Sequence, residues 1–356
     1  MSLKKIRVLI VDDSIFFREF MSRALSQNPG IEVVGLASDA FEAQQKTASL
    51  LPDVITLDME MPKMRGTDFL RYVRPKYPQT QVVVISSNPN NVFEALSAGA
   101  VDFVAKPNVQ TKVDNNSFTH EVISKIKIAS VSALTRKVPA AAPTLSPKQQ
   151  AAQPAVMPMP TTIHVRNPKS IIAIGASTGG TEAILAVLKD LPSNTPGIVV
   201  VQHMPPVFTK MYAERLDNAC KISVREAQNG DRVQTGLALL AAGDKHMRLR
   251  ADAGGYFVRC EAGEKVSGHC PSVDALFESV AQCAGANAVG VILTGMGADG
   301  AKNMLQMKKA GAYTIGQDQA SCVVYGMPMV AYNLGGVKDQ LPLTSIPGAI
   351  VRYLTR

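Results

Sequence analysis

The chain has 356 residues, 46% of them hydrophobic and 19% charged, which is ordinary for α/β protein and long enough for about two domains. Its net charge of +8 is thinly spread, with 17 basic and 14 acidic side chains in residues 1–138 and 19 and 15 in residues 165–356. That spread leaves no basic stripe for nucleic acid, no apolar run reaches bilayer length, no secretory signal is seen, and five scattered cysteines argue for reduced thiols in a cytoplasmic protein.

From the amino terminus, β-branched runs alternate with helical patterns. Ile6 to Val11 precedes Ser14 to Gln27, Glu32 to Leu36 precedes Phe41 to Leu50, and Val54 to Leu57 precedes Thr67 to Tyr77. Gln81 to Ile85 precedes Val92 to Ala98, and Asp102 to Ala105 precedes a last helix, Phe118 to Lys137. Five such units predict a parallel sheet with helices on both faces, whose ligand groups gather beyond the carboxyl ends of the strands. Asp12 and Asp13 follow the first strand, Asp58 the third, Ser86 the fourth and Lys106 the fifth. Carboxylates brought together repel unless a cation or a raised pKa relieves them, and the hard oxygens of Asp12, Asp13 and Asp58 suit Mg²⁺. A phosphoryl group would then fit between the metal and Lys106, in line with an attacking Asp58 oxygen. Lys106-Pro107 is a candidate cis bond that would fix the lysine.

Val11-Asp-Asp13, Leu57-Asp58-Met, Met61-Pro62, Ser86, Phe103 and Lys106-Pro107 together resemble the receiver domain of bacterial response regulators, over residues 4–128. The resemblance implies a flavodoxin-like (βα)5 fold in which Asp58 accepts a phosphoryl group from a histidine kinase and Asp12 and Asp13 hold Mg²⁺. It also makes Ser86, Phe103 and Lys106 the groups that sense phosphorylation.

From Pro139 to His164 the chain has six prolines, no aromatic residue and one charge. It cannot bury enough surface to fold and is expected to be a semi-extended tether between residues 1–138 and residues 165–356.

The second part opens on Ile171-Ile-Ala-Ile-Gly-Ala-Ser177-Thr-Gly-Gly180, a strand that breaks into glycines around one serine before the helical stretch Thr181 to Leu188. Gly175-Ala-Ser177-Thr-Gly179 has the G-x-S-x-G spacing that holds a serine hydroxyl at the carboxyl edge of a sheet, although a phosphate-cradling turn fits the pentapeptide alone about equally well. The next strand, Gly197 to Gln202, ends in His203, and Ala288 to Leu293 ends in Thr294-Gly-Met-Gly-Ala-Asp299. Ser177, His203 and Asp299 are therefore expected at one rim, where an imidazole takes the serine proton and a carboxylate orients the imidazole. Oxyanion donors would come from backbone N–H groups after Ser177 or around Met296. The order Ser, His, Asp differs from that of standard α/β-hydrolases. His246 and His269 are read as loop residues without a comparable placement, and His164 as part of the tether.

Ile174-Gly-Ala-Ser177-Thr-Gly-Gly-Thr-Glu-Ala, Val201-Gln-His203-Met-Pro, Ser267-Gly-His-Cys-Pro-Ser-Val-Asp274 and Leu293-Thr-Gly-Met-Gly-Ala-Asp299-Gly look like the catalytic domain of the chemotaxis protein-glutamate methylesterases, from about Ser170 onward. The resemblance implies a second doubly wound, Rossmann-like α/β domain with Ser177 as nucleophile, His203 as base, Asp299 as orienting acid, and Thr178 and Met296 beside the oxyanion. It further implies hydrolysis of glutamate γ-methyl esters and deamidation of glutamines on the cytoplasmic helices of methyl-accepting chemoreceptors, raised by phosphorylation of Asp58. The esterase site itself needs no cofactor. A receiver coupled to a binding module is the rival, but no Walker lysine, G-x-G-x-x-G or basic helix-turn-helix supports it.

Overall fold

The computed structural model describes residues 4–61, 64–107, 115–135 and 161–356, the side chains of residues 133–135 excepted. Pro62 and residues 139–160 of the expected tether lie outside the described residues.

The first part runs β1 (Ile6–Val11), α1 (Ile15–Ser26), β2 (Ile31–Ala37), α2 (Ala40–Leu50), β3 (Val54–Asp58), α3 (Gly66–Lys76), β4 (Gln81–Ser86), α4 (Pro89–Ser97), β5 (Asp102–Ala105) and α5 (Asn115–Thr135). The strands pair in parallel in the order β2-β1-β3-β4-β5. The central runs Val54–Asp58 and Gln81–Ser86 are buried throughout, as strands covered on both faces must be. Helix starts follow local chemistry, with Ser14 accepting from the Phe17 N–H and Asp39 from those of Phe41 and Glu42. The order reverses between β1 and β3, so the crevice for a ligand opens where Asp12, Asp13 and Asp58 emerge.

The second part runs β6 (Ile171–Ala176), α6 (Gly180–Asp190), β7 (Ile198–Gln202), α7 (Pro206–Ala219), β8 (Ser223–Glu226), β9 (Leu237–Leu240), β10 (His246–Asp252) and β11 (Gly255–Glu261). It continues through α8 (Val273–Cys283), β12 (Ala288–Ile292), α9 (Ala301–Lys309), β13 (Tyr313–Gln317), α10 (Met327–Asn333), β14 (Asp339–Leu341) and α11 (Ile346–Thr355). Seven strands form a parallel sheet in the order β14-β13-β12-β6-β7-β9-β8. β10 and β11 form a separate antiparallel hairpin packed on α8, an insertion that strand-helix alternation does not anticipate. The switch point lies at β6, whose neighbours are β7 on one side and β12 on the other, so the three strands that end in Ser177, His203 and Asp299 are adjacent.

The two sheets are not isolated from each other. Helix α4 packs on α6 and α7, with Phe93 stacked on Tyr212 at a centroid distance of 5.5 Å and Phe103 against Phe208 at 4.7 Å. Arg215 of α7 donates to Ser97 across this contact and to Glu182 on its own side, both at 2.8 Å. At the end of the expected tether, Ile163 exchanges hydrogen bonds with the Asn194 side chain at 2.9 and 2.8 Å. The Lys106–Pro107 bond is trans, and among the described residues the cis bond is Cys270–Pro271.

Candidate active site

Ser177 sits directly beyond β6 in a turn that small residues make possible. Gly179 adopts φ 76°, a backbone that favours glycine, and a Cβ at Gly295 would lie 2.7 Å from the Ser177 Cβ. The turn is locked from three sides. Ser177 N–H donates to Thr294 O at 3.0 Å, Gly180 N–H donates to Ser177 O at 2.6 Å, and Gln202 Nε2 donates to the same carbonyl at 3.0 Å. The serine is thereby held at the carboxyl edge with 8% exposure.

His203, one residue past β7, meets Ser177 through Nδ1 at 3.1 Å from Oγ, while its Nε2 lies 2.8 Å from Asp299 Oδ2. An ionised carboxylate only accepts, so Nε2 carries the hydrogen and Nδ1 presents a lone pair to the serine hydroxyl. The two ring nitrogens thus exchange the parts they play in the usual Ser-His-Asp arrangement. Asp299 is 2% exposed and also accepts from Ser272 Oγ (2.8 Å), Val273 N–H (2.7 Å) and Asp274 N–H (2.9 Å). Burial alone would raise its pKa, but the His203 N–H and these backbone donors hold the carboxyl below its ordinary value. The result is a carboxylate that stays charged and fixed behind the imidazole.

Thr178 and Met296 flank the serine. Among the described residues neither backbone N–H donates to a protein acceptor, and Thr178 lies just ahead of the amino end of α6. The Met296 side chain is exposed. The Thr178 hydroxyl is turned away, donating at 2.6 Å to Asp102 Oδ2 of the first part. Asp102 also receives Lys125 Nζ at 2.7 Å, so a buried carboxylate at the start of β5 is pinned to the residue following the serine. The first part therefore lies against the rim that carries Ser177.

Two histidines need correction. His246 is not a loop residue: it opens β10, is buried, and its Nε2 contacts Glu264 O at 2.8 Å. His269 is in a loop, but it stacks on His203 with ring centroids 3.7 Å apart and planes 9° apart. The exposed His164 lies outside both sheets. Sequence reasoning also passed over Ser272 and the N–H groups of Val273 and Asp274; the signal was the S-x-x-hydrophobic start of α8, where Ser272 accepts from Ala275 N–H.

At the first sheet, ligand oxygens of Asp12, Asp13 and Asp58 lie within 4.8 Å of one another. Asp12 and Asp58 are buried and Asp13 is exposed. Lys106 Nζ bridges Asp12 Oδ2 at 2.7 Å and Asp58 Oδ2 at 2.6 Å. Burial raises the Asp12 pKa, the Asp58 charge adds to the rise, and Lys106 opposes it without cancelling it. Surplus negative charge facing one crevice is what a divalent cation relieves, so these residues fit such an ion. Ser86 Oγ is engaged with Asn88 N–H at 3.1 Å, and Phe103 is buried against Phe208.

Residues 172–350 match the family model for CheB methylesterase and residues 8–116 that for the response regulator receiver domain. A protein of Syntrophomonas wolfei named protein-glutamate methylesterase/protein-glutamine glutaminase 2 is 53% identical over 356 residues, with both chains covered in full. One of Syntrophotalea carbinolica, named protein-glutamate methylesterase/protein-glutamine glutaminase, is 45% identical across 99% of this chain and 98% of its own length. Among solved structures, the CheB methylesterase catalytic domain of Thermotoga maritima is 38% identical with a TM-score of 0.51, covering 52% of this chain and 98% of that one.

Proposed function

The chain belongs to the CheB methylesterase family, with a receiver domain ahead of the catalytic domain, and from that membership we propose that it hydrolyses glutamate γ-methyl esters and deamidates glutamines on chemoreceptor helices, using Ser177, His203 and Asp299. The observation that carries the residue assignment is the continuous relay of 3.1 Å and 2.8 Å from hydroxyl to imidazole to carboxylate. His203 Nδ1 takes the Ser177 proton as Oγ attacks the ester carbonyl, and Asp299 stabilises the resulting imidazolium. The carbonyl oxygen, now negative, faces the N–H groups of Thr178 and Met296. The imidazolium returns its proton to the departing methoxide, methanol leaves, and a water deprotonated by the same nitrogen releases the glutamate from Ser177. A glutamine side chain follows the same route with ammonia as leaving group.

The domain division follows the sequence: residues 1–138 as receiver, 139–164 as tether and 165–356 as catalytic unit. Asp58 is the phosphoacceptor for a histidine kinase, with Mg²⁺ held by Asp12, Asp13 and Asp58 to neutralise the phosphoryl oxygens. A phosphoryl group on Asp58 competes for Lys106 and draws on Ser86 and Phe103, and Phe103 is the neighbour of Asp102. Movement of β5 would then release Thr178 and open the rim. No described helix is long and apolar enough to cross a membrane. Work in the cytoplasm, without membrane insertion and without nucleic acid, is part of the proposal.

Methanol release from methylated receptor fragments, with and without a small phosphodonor and Mg²⁺, tests the proposal. Ser177→Ala is expected to release none, and Asp58→Asn to retain only the unstimulated rate. Stimulation of Asp58→Asn to the level of wild type would remove Asp58 as the acceptor.

A further inference from the structure

We propose that His269 is a positioning residue for the reaction, a flat face that holds the plane of the His203 imidazole and shields one side of it from water. The proposal rests on the esterase reading above and deepens it.

Three observations support this role. First, the geometry is face to face: the rings are 3.7 Å apart and 9° from parallel. His203 must keep Nδ1 on Ser177 and Nε2 on Asp299 at once, and rotation out of that plane breaks both contacts. Second, His269 is presented by a turn built for it. Val266 and His269 exchange both backbone hydrogen bonds at 3.0 Å around Ser267 and Gly268, which have φ of 52° and 85°. A left-handed backbone is unfavourable at Ser267, which is not glycine. It is tied down by Ser267 Oγ donating to Asp274 Oδ2 at 2.7 Å, and Asp274 is in turn held by the Asn303 backbone and side chain at 3.2 and 3.0 Å. Third, the same segment supplies Ser272, Val273 and Asp274 to Asp299, so one loop sets both the ring and the carboxylate behind it.

Among the described residues the His269 ring has no hydrogen-bond partner. The titratable groups that face it are His203 and Asp299, with Lys125 of α5 and Lys265 farther out, and burial followed by His203 lowers its pKa to about 4. His269 is therefore neutral at working pH and adds no charge against the imidazolium that forms on His203. A neutral aromatic face is the chemistry required.

The test compares wild type, His269→Ala and His269→Phe as full-length proteins with phosphodonor and Mg²⁺, reading methanol release across pH and the rate at which a fluorophosphonate labels Ser177. His269→Ala is expected to lower kcat and the labelling rate about tenfold or more while KM stays within about twofold, because misplacement alone slows an oriented reaction. His269→Phe should restore kcat to within about threefold. If His269→Ala does not fold, His269→Leu, which fills space without a flat face, takes its place. Wild-type rates in the Ala variant, or a Phe variant as slow as Ala, would overturn the proposal. Wild-type labelling without methanol release would instead remove the receptor-ester substrate and leave the variant comparison standing, and no labelling at all would overturn both.

Discussion

His269 carries a pH signature in the stability of the fold. Its folded pKa of about 4 lies below the ordinary 6.5, so in that interval the unfolded chain binds a proton that the folded chain excludes. Its contribution is complete above about 6.5 and is lost as pH falls toward 4. Asp299 acts lower, since its depressed pKa stabilises the fold above the ordinary carboxylate value and loses that effect as pH drops through the folded one. Thermal midpoints should therefore fall between pH 6.5 and 4, and less steeply in His269→Phe than in wild type. Equal slopes in the two proteins would show that the imidazole is not kept neutral by its surroundings.

At the level of elements, the site depends on how closely β6 approaches α8. A Cβ at Gly175 would collide with the Val273 side chain in the first turn of α8, and that turn supplies the N–H groups of Val273 and Asp274 to Asp299. Gly175→Ala should cost about 1–3 kcal/mol by overpacking. It should also slow hydrolysis by tilting the donors away from the carboxylate. Urea unfolding and methanol release on the same preparation check both, and a variant that is destabilised but fully active would separate the packing from the chemistry. Gly175 thus has a reason beyond the strand-turn-helix pattern that draws attention to the serine.

Across the whole molecule, one buried carboxylate joins the two sheets beside Ser177. Asp102 accepts from Thr178 and Lys125 and precedes Phe103, which rests on Phe208. Asp102→Ala is expected to raise the unstimulated rate several-fold and shrink the further gain from a phosphodonor, because a bond that favours the closed arrangement is gone. Hydrolysis rates with and without phosphodonor decide this. An unstimulated rate equal to wild type would mean that aromatic packing at Phe93 and Phe103, rather than this bond, holds the parts together.

Strand ends were legible in the chain because a β-branched run that stops at a glycine or a charged residue is a local event. Asp12, Asp58 and Lys106, like Ser177, His203 and Asp299, could be assigned to two sheet edges from short-range pattern alone, and parallel connectivity brings such edges together. Other features had no local sign. The burial of His246, the stack of His269 on His203 and the bond from Thr178 to Asp102 each depend on residues far apart in the chain, whereas the β10–β11 hairpin closes over a two-residue turn at 253–254 and was a local pattern passed over. Composition and periodicity therefore determined the class of each domain and which polar side chains reach its rim. Which imidazole nitrogen faces the serine, what flanks it and how the receiver half rests on it were decided only when packing fixed the distances between them.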